Sequence, residues 1–199
     1  MKSLTSNSTK NPGSVWIIGL SSAGKSTLAR GLVARLRDND YPCMLIDGDE
    51  VRAIFADRLG YDPESRRKQT QRILALTQWV SGHGILPIVA IIHPFENDRR
   101  RCRETLDKYV EIYLHCDLSE CIKRDKKNVY VQALEGNAEN VVGVDIPYDE
   151  PAHADLVLDS MHTTQEAMLE TLWKYVEREI LPCYPLRVMN DQACDNRNI

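Results

Sequence analysis

The chain has 199 residues, 43% of them hydrophobic and 27% charged, with a formal net charge of −4. That length fits one domain with a real core. The acidic balance argues against wholesale nucleic-acid binding, and no apolar run reaches the roughly 18 residues of a membrane span.

In chain order, residues 1–13 are rich in Ser, Asn, Thr and Pro, carry no apolar leader segment, and read as a mobile tail. Ser14–Leu20 reads as a first strand. Thr27–Arg37 reads as a helix, with Leu28, Leu32, Val33 and Leu36 at helical spacing. Pro42–Ile46 reads as a second strand. A short helix is expected over Glu50–Leu59, with Asp49 as its cap and Gly60 closing it. Pro63 opens a helix to about Ser81. Ile85–Ile92 is almost wholly apolar, as a strand covered on both faces should be. Pro87 within it must lie at its start or break the ladder. A helix capped by Asn97 or Asp98 should run through Leu106, followed by a strand at Tyr109–His115. Asp117-x-x-Glu120 has the form of a capping box for a helix through Arg124.

Lys126–Tyr148 shows little periodicity, and a loop of that length in a compact domain suggests a lid. Ala154–Leu158 is a last strand. Thr163-x-x-Glu166 should cap a final helix ended by Pro182, and residues 183–199 read as a second tail. Strands alternating with helices predict an α/β three-layer fold with a five-stranded parallel sheet in one domain spanning 14–182, ligands gathering at the C-terminal ends of the strands. The six cysteines (43, 102, 116, 121, 183 and 194) include no C-x-x-C pair. They read as reduced thiols in a cytoplasmic protein.

The chemistry begins after the first strand. Gly19, Gly24, Lys25 and Ser26 satisfy G-x-x-x-x-G-K-[ST] between an apolar strand and an amphipathic helix. Small residues let successive backbone N–H groups surround a phosphate chain, and the helix aims its positive end at the same anion. Gly19, Ser21, Ser22, Ala23, Gly24, Lys25, Ser26 and Thr27 are therefore expected to hold ATP, with Ser26 on Mg²⁺. Asp47 and Asp49 stand two residues apart just past a strand. Facing a triphosphate, such carboxylates need a cation or a substrate hydroxyl to offset repulsion. Asp47 is assigned to Mg²⁺ and Asp49 to the acceptor hydroxyl, as base or orienter.

Several blocks resemble the adenylylsulfate (APS) kinase family: Leu45-Ile46-Asp47-Gly48-Asp49-Glu50-Val51-Arg52, Leu59-Gly60-Tyr61, Arg66, Arg72-Ile73, Lys123-Arg124-Asp125-x-Lys127 and Gly143-Val144-Asp145-Ile146-Pro147-Tyr148-Asp149-x-Pro151. The resemblance runs in order from about Val15 to Asp159. It implies a P-loop kinase, usually dimeric, that moves the γ-phosphoryl group of MgATP to the 3′-hydroxyl of APS in sulfate activation. It further implies that Arg52 and Arg66 hold the phosphosulfate and that Tyr61 stacks on the acceptor base. Arg124 would lie near ATP, and residues 126–148 would form the lid.

The acceptor side departs from the family pattern. Gln69 replaces an asparagine, and His93 replaces a serine in Ile92-His93-Pro94. Glu96-Asn97 replaces an arginine pair. Val131-Gln132 and Glu139 stand where cations are usual, and Val141 replaces an aromatic. One lost stacking face is worth about 1–3 kcal/mol. Either these are variations within APS kinases, with His93, Arg99 or Arg100 compensating, or the acceptor is another nucleotide. Relatives acting on cytidine diphosphoramidate carry a run similar to Asn140–Asp145. A non-catalytic ATP-binding module and a fragment of a fusion with ATP sulfurylase are further alternatives. The run Arg99-Arg100-Arg101-x-Arg103 is expected as a solvated face. The histidines at 83, 115, 153 and 162 show no metal-ligand spacing.

Overall fold

The computed structural model describes residues 11–184. Five strands form one all-parallel sheet in the order β2-β3-β1-β4-β5. They are β1 (Ser14–Ile18), β2 (Cys43–Asp47), β3 (Leu86–Ile91), β4 (Tyr109–His115) and β5 (Leu156–Asp159). The helices are α1 (Lys25–Asp38), α2 (Gly48–Ile54), α3 (Pro63–Gly82), α4 (Glu96–Thr105), α5 (Leu118–Lys123), α6 (Val129–Leu134) and α7 (Gln165–Glu179), followed by a 3₁₀ turn at Leu181–Cys183.

The two-residue period of the strands divides the core between two faces. In β1, Val15 and Ile17 pack into a layer with Leu28, Leu32 and Leu36 of α1 and with Leu172 and Val176 of α7. Trp16 and Ile18 pack on the opposite face with Ile73, Leu74 and Val80 of α3. All five β1 residues are buried, as a central parallel strand covered on both sides requires. Each large apolar side chain buried this way contributes about 1.5–3 kcal/mol.

Pro87 is the second residue of β3. Leu86 gives its N–H to Pro42 on the β2 side, so the N–H that proline lacks would face β1. Pairing between β1 and β3 begins only at Val15 with Ile88, and the proline interrupts little.

Several boundaries differ from the sequence expectation. The helix after β2 covers Gly48–Ile54, and its cap is Asp47, whose carboxylate accepts the Asp49 N–H. It stops at Phe55 because α3 pulls the chain away: the Arg72 guanidinium lies 4.5 Å from the Phe55 ring and pairs with Asp57. Gly60 is not a cap. Its carbonyl and that of Leu59 accept from Arg52. Helix α4 begins at Glu96, and Asn97 and Asp98 lie inside it. No capping box forms at Asp117, since Glu120 pairs with Lys123 and Arg124. The final helix is capped by Thr164, one residue beyond Thr163.

The 126–148 stretch holds α6 and an isolated bridge between Val142 and Ile146. Residues 11–13, expected in the tail, are tied down. Asn11 bonds Asp107 and Ser81, and the Gly13 carbonyl accepts from Ser81. The remainder of both expected tails, residues 1–10 and 185–199, lies outside the described residues.

Candidate active site

β1 ends at Ile18 and the chain turns tightly into α1. Gly19 has φ 147°, and a Cβ there would stand 2.5 Å from the Leu114 carbonyl oxygen of β4. Only glycine lets the loop start that close to the sheet. At Gly24 the constraint is conformational, with φ 105° and no neighbour nearer than 3.7 Å. Helix α1 opens at Lys25 without a side-chain cap. Its positive end lies at the cleft that Gly24, Lys25, Ser26 and Thr27 line, which suits an anion. The Lys25 ammonium is buried and donates to the Leu20 carbonyl at 2.5 Å. Burial pulls its pKa down to about 8, against the opposing fields of Cys121, Asp47 and Asp49.

Ser26 follows Lys25, and its hydroxyl donates to Asp47 Oδ2 at 2.6 Å. The other Asp47 oxygen accepts the Asp49 N–H at 3.0 Å. Asp47 is thus buried and committed at both oxygens, whereas the Asp49 side chain is 66% exposed and ion-paired to Lys127. The two carboxylates of one short motif have different surroundings because the first is the helix cap and the second projects from the first turn. Ser26 Oγ and the Asp47 carboxylate, side by side beneath the phosphate loop, are hard oxygen donors of the kind Mg²⁺ takes.

The opposite wall comes from α2, α3 and the β3–α4 turn. Arg52 and Arg66 place their guanidinium carbons 4.7 and 5.6 Å from the Tyr61 ring centroid. Burial lowers the pKa of both arginines, but from so high a value that both stay charged. Tyr61 is 56% exposed, leaving ring surface for a base. Gln69 donates to the Gly48 carbonyl at 3.2 Å, and its Oε1 is buried without a partner.

His93, at φ 55°, is buried against Trp16 with ring centroids 5.3 Å apart, and neither ring nitrogen has a partner. Burial, reinforced by the Arg99 cation, pushes its pKa down to about 3, so the ring is neutral. Arg99 is fully buried, donates to the His93 carbonyl at 2.9 Å and pairs with Glu96. The expected solvated basic face therefore fails at Arg99, and Arg99 holds the turn that carries His93.

The 126–148 segment closes over this cleft through three contacts. Tyr130 of α6 donates its hydroxyl to the Ser21 carbonyl at 3.3 Å. Lys127 pairs with Asp49. Arg66 donates to the Asn140 carbonyl at 2.8 Å. Arg124, at the end of α5, is held by Glu120 and by the Ser160 carbonyl.

One cleft of about 1050 Å³ is lined by Ser21, Ser22, Gly24, Lys25, Ser26 and Thr27. Asp47, Asp49, Arg52, Tyr61, Arg66, Gln69, Ile92, His93, Arg124 and Val141 line it too. Of the residues singled out from sequence, Gly19 and Ala23 do not line it. Gly19 packs on β4, and Ala23 is buried beneath the loop. Lys127 and Asn140 line it too, and from sequence they had no individual role beyond membership of the expected lid. The signal for Lys127 was its place in the Lys123–Lys127 block. Asn140 contributes a backbone carbonyl, which a side-chain reading does not find.

The profile of the family described as adenylylsulphate kinase matches residues 11–159. The chain is 35% identical over 165 residues to an adenylyl-sulfate kinase of Oceanobacillus iheyensis, covering 82% of this chain and 83% of that protein. It is 34% identical over 170 residues to one of Pseudomonas aeruginosa, covering 84% and 87%. Its fold is similar to that of the Mycobacterium tuberculosis APS kinase CysC in complex with AMPPNP and APS. The TM-score is 0.78 at 25% identity, over 82% of this chain and 96% of that one.

Proposed function

The chain belongs to the adenylylsulphate kinase family, and from that premise we propose that it transfers the γ-phosphoryl group of ATP to the 3′-hydroxyl of APS, forming PAPS in sulfate assimilation. The observation that carries the reading is that one cleft joins the phosphate loop and the Ser26–Asp47 pair to the Arg52, Tyr61 and Arg66 wall, with Asp49 in the same lining.

The phosphate loop N–H groups and Lys25 hold the triphosphate and stabilise charge on the transferring group. Ser26 and Asp47 would hold Mg²⁺, which supplies further charge neutralisation when bound. Asp49 accepts or orients the acceptor hydroxyl proton, which requires release from Lys127. Arg52 and Arg66 grip the anionic arm with forked donors, Tyr61 stacks on the base, and Arg124 lies on the ATP side. Gln69, Ile92, His93 and Val141 shape the rest of the acceptor end.

Acceptor-dependent ADP release from the purified protein tests this, with APS and cytidine diphosphate derivatives run side by side. Turnover with APS at low concentration is the expected result. A second reading, a kinase of another nucleotide such as cytidine diphosphoramidate, is favoured by one observation: the cleft lining carries an aliphatic Val141 where the family resemblance implies an aromatic. No response to APS with turnover of a cytidine derivative would establish it. ATP binding without transfer to any acceptor would establish a binding module.

A homodimer in the cytoplasm fits the family and the free thiols at Cys43, Cys102, Cys116 and Cys121. No helix among the described residues is long and apolar enough to cross a membrane. Sedimentation of the purified protein measures the oligomer.

A further inference from the structure

The block Gly143–Pro151 has no part in the chemistry above, yet its two aspartates hold the lid's return segment. Asp145 accepts two backbone N–H groups, from Asn140 on Oδ2 and from Val141 on Oδ1. The Val141 carbonyl takes the N–H groups of Val144, Asp145 and Ile146 at 3.1–3.2 Å, and Gly143 N–H bonds the Ile146 carbonyl at 2.7 Å. Asn140 is forced to φ 65°, a conformation that a non-glycine residue adopts only when its surroundings impose it. Farther along, Asp149 N–H bonds the Pro94 carbonyl at 2.9 Å and its carboxylate accepts the Glu96 N–H at 3.1 Å. The return segment is therefore pinned to the turn that carries His93.

The Asn140 carbonyl so oriented is the one that accepts from Arg66 at 2.8 Å. The Asp145 charge also acts on Arg66 in the direction that keeps it protonated. Arg66 Nη2 is held by the lid while its Nε is buried with no partner, so the guanidinium keeps an uncommitted donor for a ligand oxyanion.

We propose that Asp145 is a positioning residue for the acceptor. Its carboxylate clasps the 140–141 backbone so that the lid, once closed, fixes Arg66 for the acceptor's anionic arm. This rests on the kinase reading above, and it concerns acceptor affinity rather than ATP binding.

The test is Asp145→Asn. The amide keeps one acceptor oxygen but turns its NH₂ toward the second backbone N–H, so one bond is lost. Hydrogen exchange at the 140 and 141 amides should quicken about tenfold. The acceptor KM should rise about tenfold, with kcat within about threefold and the KM for ATP within about twofold of wild type. In an Arg66→Lys background, the same substitution should change the acceptor KM by less than about twofold.

Unchanged exchange at 140–141, an acceptor KM that does not move, an equal rise in both KM values, or a full tenfold effect on top of Arg66→Lys would each overturn the proposal. If Asp145→Asn does not fold, Asp145→Glu, which keeps the charge but displaces both oxygens, must show the same split between acceptor and ATP. Wild-type protein that releases no ADP with APS refutes the parent reading alone. The exchange experiment still decides the clasp, and the KM split is then read with whichever acceptor turns over.

Discussion

Ser26 and Asp47, 21 positions apart in the chain, meet at 2.6 Å beneath the phosphate loop. Ser26 lies in the first turn of α1 and Asp47 ends β2, and β3 separates β2 from β1 in the sheet. Because Asp47 also caps α2, the contact links the phosphate loop to the element that carries Asp49 and Arg52. The two residues can be separated experimentally. Ser26→Ala removes an expected Mg²⁺ ligand and the donor to Asp47 Oδ2 but leaves the cap bond from Asp49, so activity should fall and stability should drop by about 1 kcal/mol. Asp47→Ala should lower kcat/KM by at least about a hundredfold and also cost about 1 kcal/mol from the lost cap. Urea unfolding beside kinetics at graded Mg²⁺ measures both.

Lys25→Ala should abolish turnover, because its buried ammonium is the cation held within the phosphate loop, on the Leu20 carbonyl. The pH dependence carries a sign. Lys25 is protonated below about 8 and neutral above it, so kcat/KM for ATP should decline as pH rises through that value in the free enzyme. Bound phosphates should raise the value, leaving kcat flat further into the alkaline range. Since the folded pKa lies below the ordinary lysine value of 10.5, the unfolded chain binds more protons between about 8 and 10.5. This group therefore adds stability as pH rises across that window.

Asp49→Asn should leave ATP affinity within a few-fold of wild type while kcat falls by about 10²–10⁴. Lys127→Ala removes the partner of Asp49 and leaves the carboxylate in place, so its loss in kcat should be smaller than that of Asp49→Asn. Calorimetric binding of ATP and single-turnover rates separate the two effects. A near-normal kcat in Asp49→Asn would move the base role to another group.

His93 should contribute no inflection to the rate profile between pH 5 and 8, because its ring stays neutral down to about 3. Its folded pKa lies below the ordinary value of 6.5. Its stabilising contribution is therefore complete above pH 6.5 and is lost progressively as pH falls toward 3. His93→Gln should flatten that acid limb in thermal melts across pH 3.5 to 7. An imidazole signal assigned to His93 that titrates near 6.5 would show that the ring is solvated.

The sequence by itself determined the fold class and the phosphate loop, because both rest on local rules. A strand covered on both faces is apolar at every residue, as at Val15–Ile18, and a loop that wraps an anion needs glycine at fixed offsets. Its motif and family-like blocks also singled out Asp47, Asp49, Arg52, Tyr61 and Arg66, which the fold brings to one cleft. Tertiary structure decided which carboxylate is buried and which is exposed. Asp47 and Asp49 look alike in sequence, but the first is buried, capping α2 through the Asp49 N–H and accepting from Ser26, while the second projects from the first turn and is exposed. It also decided that Arg99 is interior while Arg100 and Arg101 are not, since helical phase against the sheet sets that. Finally, it decided that the 126–148 segment meets Arg66 through a backbone carbonyl, at Asn140. A carbonyl is common to every residue, so its function comes only from where the chain places it.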